Sequence, residues 1–208
     1  MLTRTRVNAN AFKLVFWVIS YVLFDQILLA ELRAEIEPAF AGGVSPKLNY
    51  LFESCPILSS TCEGVLRLTN WPIGTRTVMS ESIIGGKRLK VGRKLLMPYR
   101  AMHFDSAIFG EEPNTFDPRR FMKRKDLVKS TSYKPFGGAA HYCPGRFIAR
   151  REVQMFVAIM LKRFELEITR VNGKKQLFPK MDDSLPSGGI QIPAKGHGLI
   201  LRVQPARA

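Results

Sequence analysis

Phe136-Gly137-Gly138-Ala139-Ala140-His141-Tyr142-Cys143-Pro144-Gly145-Arg146 decides how this chain is read. A cysteine stands seven residues after a phenylalanine, with a glycine-rich turn between them. Pro-Gly-Arg then opens an amphipathic helix directly after the sulfur. A thiolate needs neighbours that keep it charged. Backbone N–H groups in a tight glycine turn and at a helix N-terminus supply them. The pattern suits a cysteine that ligates a metal; the plainer alternative is a buried free cysteine beside an ordinary turn.

Four other elements come before it in a set order. Gly64-Val65-Leu66-Arg67 ends a helical stretch. Arg76 lies in a strand-like run, and His103-Phe104-Asp105 comes after it. Pro113-Asn114-Thr115-Phe116-Asp117-Pro118-Arg119-Arg120-Phe121 precedes the cysteine loop. With these elements the chain resembles the C-terminal part of a fungal cytochrome P450 monooxygenase, over nearly its whole length. The resemblance implies a mainly α fold with small β-sheets (α+β), in which the C-terminal part of that fold is present. Members of that family are much longer. The anchor, early helices and most of the substrate roof have no counterpart here, so the expectation is half of a domain, inactive alone.

The resemblance also implies roles. Cys143 would be the axial thiolate of haem b and its only protein ligand to iron, donating electron density that favours O–O cleavage. Phe136 would pack beneath the haem, with Gly137 and Gly145 shaping the turn. His141 and Arg76 would meet the haem propionates. Arg67 and Arg120 would share a buried charge network with a glutamate, because a buried guanidinium is costly unpaired. Ile73, Gly74, Gly189 and Ile190 would line an apolar substrate pocket, fitting a lipid-like or secondary-metabolite substrate. Asn10 would stand at the distal proton-delivery position. The electron donor would be an NADPH-dependent reductase, docking on a basic face of Lys134, Arg146, Arg150 and Arg151. Full-length members face the cytosol from the endoplasmic reticulum, anchored by their N-terminal part.

Three positions depart from the family pattern. Gly64 stands where the network glutamate should be, and Glu63 is one step off, or about 100° around a helix. Ala139 replaces a glycine of the turn. Ala11 replaces the hydroxyl residue after Asn10.

Composition leaves other functions open. The 208 residues carry a formal charge of +15, which suits an acidic protein, an anionic membrane or nucleic acid. No zinc-finger, helix-turn-helix or RNA-binding pattern occurs, so no nucleic-acid role is expected. A basic scaffold without haem, using Lys123-Arg124-Lys125 and the last helix, is the alternative reading. Cys55 and Cys62 look like small core residues, and an odd cysteine count argues against a disulfide framework. Leu14 to Phe24 is an apolar run of about eleven residues, short of the roughly twenty a membrane span needs. It reads as a buried helix, with membrane insertion as a further alternative.

Periodicity supplies the elements. One long helix is expected over 10–37, closed by Pro38, as the distal helix. Ser45-Pro46 suggests an N-cap and first turn, and Pro56 starts a helix to about Leu68. Thr75–Val78, Ser82–Ile84 and Lys94–Met97 read as strands, with Gly85-Gly86 as a turn. Residues 110–145 form a meander and the cysteine loop. A helix covers 146–164, with Val153, Phe156, Val157, Met160, Leu161 and Phe164 as its apolar stripe. Residues 165–208 carry terminal strands, with an Asn172-Gly173 turn and a final hairpin pairing 190–193 with 199–203.

Overall fold

A computed structural model describes residues 10–43, 45–138, 142–184 and 188–206. The expected 10–37 helix is in fact two, α1 (Ala11–Phe24) and α2 (Gln26–Ile36), meeting at a 112° bend. Asp25 causes the break. Its backbone is extended, and its carboxylate accepts the Leu28 N–H at 2.9 Å, capping α2. The Gln26 amide donates to Leu23 O and satisfies the end of α1. An N-cap in mid-run supplies partners that a continuing helix would not need.

A 3₁₀ turn (Glu37–Phe40) contains Pro38 at its start. Helix α3 (Leu48–Glu53) begins after Lys47, so Ser45 is not its cap. Helix α4 (Pro56–Thr69) starts at its proline as expected. Its N-terminal donors are met from α2, where the Glu35 carboxylate accepts both Ile57 N–H and Leu58 N–H. Such a cap ties the two helices together.

Four strands follow. β1 (Ile73–Thr77) pairs antiparallel with β4 (Lys94–Pro98), and β2 (Ser82–Ile84) pairs with β3 (Lys87–Leu89) around Gly85-Gly86. Two short helices, α5 (Tyr99–His103) and α6 (Ser106–Phe109), lead into the meander, which contains α7 (Arg120–Lys123) and a 3₁₀ turn at Lys125–Lys129.

Helix α8 (Arg146–Arg163) runs on directly into β5 (Phe164–Ile168). Val153, Val157 and Leu161 are buried on α8, but Phe156 is exposed and lies off the buried stripe. β6 (Arg170–Val171) and β7 (Lys174–Lys175) flank the Asn172-Gly173 turn, whose two residues both have positive φ. β8 (Leu201–Pro205) pairs with β5, which corrects the expected final hairpin. The 190–193 stretch instead joins α4 and the chain near Met181. Gln191 N–H donates to Thr69 O, and bridges link Asn70 with Ile190 and Met181 with Pro193.

One large core joins α1, α2, α4 and α8, and it includes Trp17, Val18, Leu32, Leu58, Val65 and Val153. Cys55 and Cys62 are both buried in it, and burial pushes the Cys62 thiol upward, outside any useful reactive range. The Trp17 indole donates to Gln191 O at 2.8 Å, pinning the C-terminal segment to α1. No single helix among the described residues is long and apolar enough to cross a membrane.

Candidate active site

Cys143 sits between two backbone contacts. Its N–H donates to Phe136 O at 3.0 Å, closing the glycine turn, and its carbonyl accepts from the Arg146 guanidinium at 3.1 Å. Gly137 has φ +78°, a conformation that β-carbon-bearing residues rarely adopt. The turn therefore needs a glycine there, and Cys143 emerges two residues before the N-cap of α8, exposed. His141 and Ala139 lie outside the described residues.

Cys143 lines a cavity of about 440 Å³. Phe136, Gly137 and Gly145 border it on the cysteine-loop side, and Ala149 and Val153 of α8 form its floor. Ile73, Gly74 and Arg76 of β1 stand at another wall, and Gly189 with Ile190 at a third. Asn10 and Ala11 close it at the start of α1. Asn10 Oδ1 accepts the Ile190 N–H at 3.1 Å, which anchors that wall. Gly74 is needed for close approach, because a Cβ there would meet the Tyr99 hydroxyl at 2.5 Å. Tyr99 has no distinguishing signal in the sequence.

Arg67 is buried on α4. Its guanidinium donates to His103 O at 2.7 Å and Pro113 O at 2.6 Å, and it faces the Phe109 ring at 4.9 Å. Burial, and then Arg120, lowers its pKa to about 10, so it stays charged at neutral pH. Arg120 donates to Phe109 O, Glu112 O and Thr115 O. Arg67 also reaches Thr115 O, so the two guanidinium groups meet around one carbonyl. Backbone carbonyls take the place of a carboxylate at Arg67, as expected from Glu63 standing one step off the partner position.

Glu63 turns elsewhere. Its carboxylate receives Arg150 Nε and Nη2 and the Tyr133 hydroxyl, the last at 2.5 Å. Burial, and then the Glu63 charge, raises the Tyr133 pKa far above its usual range, so the phenol stays a donor. His103 is fully buried and ties α4 to the meander. Its Nε2 accepts the Lys134 N–H, which leaves the proton on Nδ1, facing Arg67 O. Sequence reasoning missed Glu63 with Arg150, and also Tyr133, because their partners lie 70 and 87 positions away.

The cytochrome P450 family model matches residues 14–194. The chain belongs to the cytochrome P450 family. A Gibberella zeae "Cytochrome P450 monooxygenase" is 29% identical over 82% of this chain and 35% of its own length. "Cytochrome P450 monooxygenase nodJ" of Hypoxylon pulicicidum is 28% identical over 94% of this chain and 41% of its own. The "5-beta-cholestane-3-alpha,7-alpha-diol 12-alpha-hydroxylase" of Sus scrofa is 36% identical over 68% of this chain and 30% of its own. The chain thus spans about two fifths of such P450 relatives at most.

The donor set fits the family's prosthetic group. Among the described residues no cluster of three His, Cys, Asp or Glu side chains could hold a bare metal ion. A lone cysteine at a cavity wall is enough only where a macrocycle supplies the other metal donors. The cavity is apolar over most of its lining and carries Arg76 on β1 as a cation.

Proposed function

We propose that this chain forms the cysteine-ligand side of a haem-thiolate monooxygenase acting on an apolar, lipid-like or secondary-metabolite substrate. The observation that carries it is the cavity at Cys143. It gathers Asn10, Arg76, Cys143 and Ile190 from across 180 positions onto one surface. Haem, when bound, would supply the activation of O2 that side chains alone cannot perform.

Each residue has a part in this reading. Cys143 would offer its sulfur to the iron, and the Phe136 O and Arg146 contacts to its backbone hold the loop in place. Arg76, whose Nη1 donates to Thr75 O, would neutralise a propionate. Ile73, Gly74, Gly189 and Ile190 would exclude water from the substrate. Asn10, with Ala11 beside it, would be the polar side chain at the distal wall, held there by Ile190 N–H. Electrons would come from a reductase docking near Lys134, Arg146 and Arg151. Arg150 contributes little free charge to that face, because Glu63 pairs with it.

Haem reconstitution with carbon monoxide after reduction tests the reading. Cys143→Ala should abolish any thiolate-type absorption, while Cys55→Ala and Cys62→Ala leave it in place. The same thiolate-type spectrum in Cys143→Ala would defeat the assignment.

A further inference from the structure

Glu63 and Arg150 join two elements that bear on the cysteine loop. Glu63 sits mid-way along α4 with only 9% of its side chain exposed, and Arg150 lies in the second turn of α8. The pair is two-pronged, and the Tyr133 hydroxyl occupies the same carboxylate. A buried carboxylate satisfied by three donors is rigid, because loosening any of them leaves charge without compensation. The Arg150 guanidinium also lies over the Phe136 ring, its Cζ 4.7 Å from the centroid. Phe136 in turn accepts the Cys143 N–H on its carbonyl. A continuous path therefore runs from the α4 carboxylate through a planar cation and an aromatic ring to the backbone of the cysteine.

We infer that Glu63 and Arg150 are a positioning pair that sets the Cys143 loop against α4, acting through the Phe136 ring. The inference deepens the haem-thiolate reading and rests on it for its functional meaning. The mechanical link stands apart from it. Neither residue lines the cavity itself, so both act on it through Phe136, which does. The planar guanidinium matters twice: its fork fits the carboxylate, and its face stacks on the ring. A lysine ammonium offers a point charge and no flat face.

Amide hydrogen exchange on the full chain reads the link without any cofactor. Arg150→Ala and Glu63→Gln should each speed exchange of the Cys143 N–H at least about tenfold, while the β5–β8 amides exchange as in the wild type. Arg150→Lys guards against simple misfolding. It should keep the fold and restore the loop's protection only in part. Cys143 exchange within about twofold of wild type in Arg150→Ala would overturn the inference. So would equal acceleration at β5–β8, or full protection in Arg150→Lys. A haem arm separates the two readings. If wild type takes up thiolate-ligated haem, Arg150→Lys should show a weakened or shifted thiolate band, and an unchanged band overturns the inference. If wild type takes up none, the haem reading fails and the exchange data alone decide the link.

Discussion

In the core between α1, α4 and α8, Trp17, Val18, Val65 and Val153 are stripped of water within one large apolar cluster. From Phe104 to Pro135 the balance is reversed. Only Phe109, Phe121, Leu127 and Tyr133 form a small apolar cluster, and regular structure is short. Here the chain is held by side-chain donors and acceptors reaching out from α4 and its neighbours. Arg67 takes the carbonyls of His103 and Pro113, His103 takes the Lys134 N–H, and Ser60 Oγ takes the Met122 N–H. A segment without a helix ladder must send its backbone groups to side chains, and a buried cation can serve several carbonyls at once. The core is secured by area, the meander by a few irreplaceable contacts.

The largest effects test that contrast directly. Trp17→Ala should cost about 3–5 kcal/mol by urea unfolding, from the cavity left in the core and the lost bond to Gln191 O. It should weaken all probes together, and a loss confined to the C-terminal segment would count against a shared core. Arg67→Ala should cost about 3 kcal/mol by leaving buried carbonyls without donors. Its signature is local: limited proteolysis should cut within 104–135 before the α1–α8 core opens. Cleavage at wild-type rates there would mean that the meander does not depend on Arg67.

A pH titration sharpens the same comparison. Burial, together with the nearby Arg67 charge, lowers the His103 pKa from the usual 6.5 to about 4. Between those values the unfolded chain binds a proton that the native imidazole refuses, so stability rises with pH across that window. The contribution is complete above pH 6.5 and is lost as pH falls to 4, amounting at most to about 3 kcal/mol. His103→Gln should remove this part of the slope, visible as the difference between the two unfolding-free-energy profiles. Parallel profiles would show that His103 protonates freely in the native meander.

How much of this was legible depended on the range of each signal. Pro56, the Asn172-Gly173 turn and the buried positions Val153, Val157 and Leu161 are local patterns, and they read correctly. The bend at Asp25 was hidden because apolar residues continue on both sides of it. The β5–β8 pairing was hidden because the alternation at 190–193 fits a strand equally well, and only tertiary contacts send it to Thr69 and Asn70. At the site, the Cys143 loop announces itself in eleven consecutive residues, whereas the Glu63–Arg150 pair depends on a helix rotation that no local pattern displays.

The smallest expected effect concerns Gly64, where α4 meets the meander. A Cβ there would stand 3.3 Å from Phe116 Cε2 and 3.6 Å from Asp117 O. The ring therefore fills the space that a longer side chain would use to reach Arg67. Phe116 is half-buried on a loop and lies 4.3 Å from the Tyr21 ring, so it can slide by a few tenths of an ångström without losing that contact. Against this small shift stands the gain from replacing glycine inside a helix, about 1 kcal/mol. Gly64→Ala should therefore stabilise the chain by about 0.5 kcal/mol in urea unfolding, with Arg67 undisturbed. Gly64→Glu should fail to stabilise, since its carboxylate would have to displace the whole ring while Arg67 already holds its carbonyls. A clear loss in Gly64→Ala would show that Phe116 is fixed as firmly as a core residue, and the border between the two regions would then belong to the core.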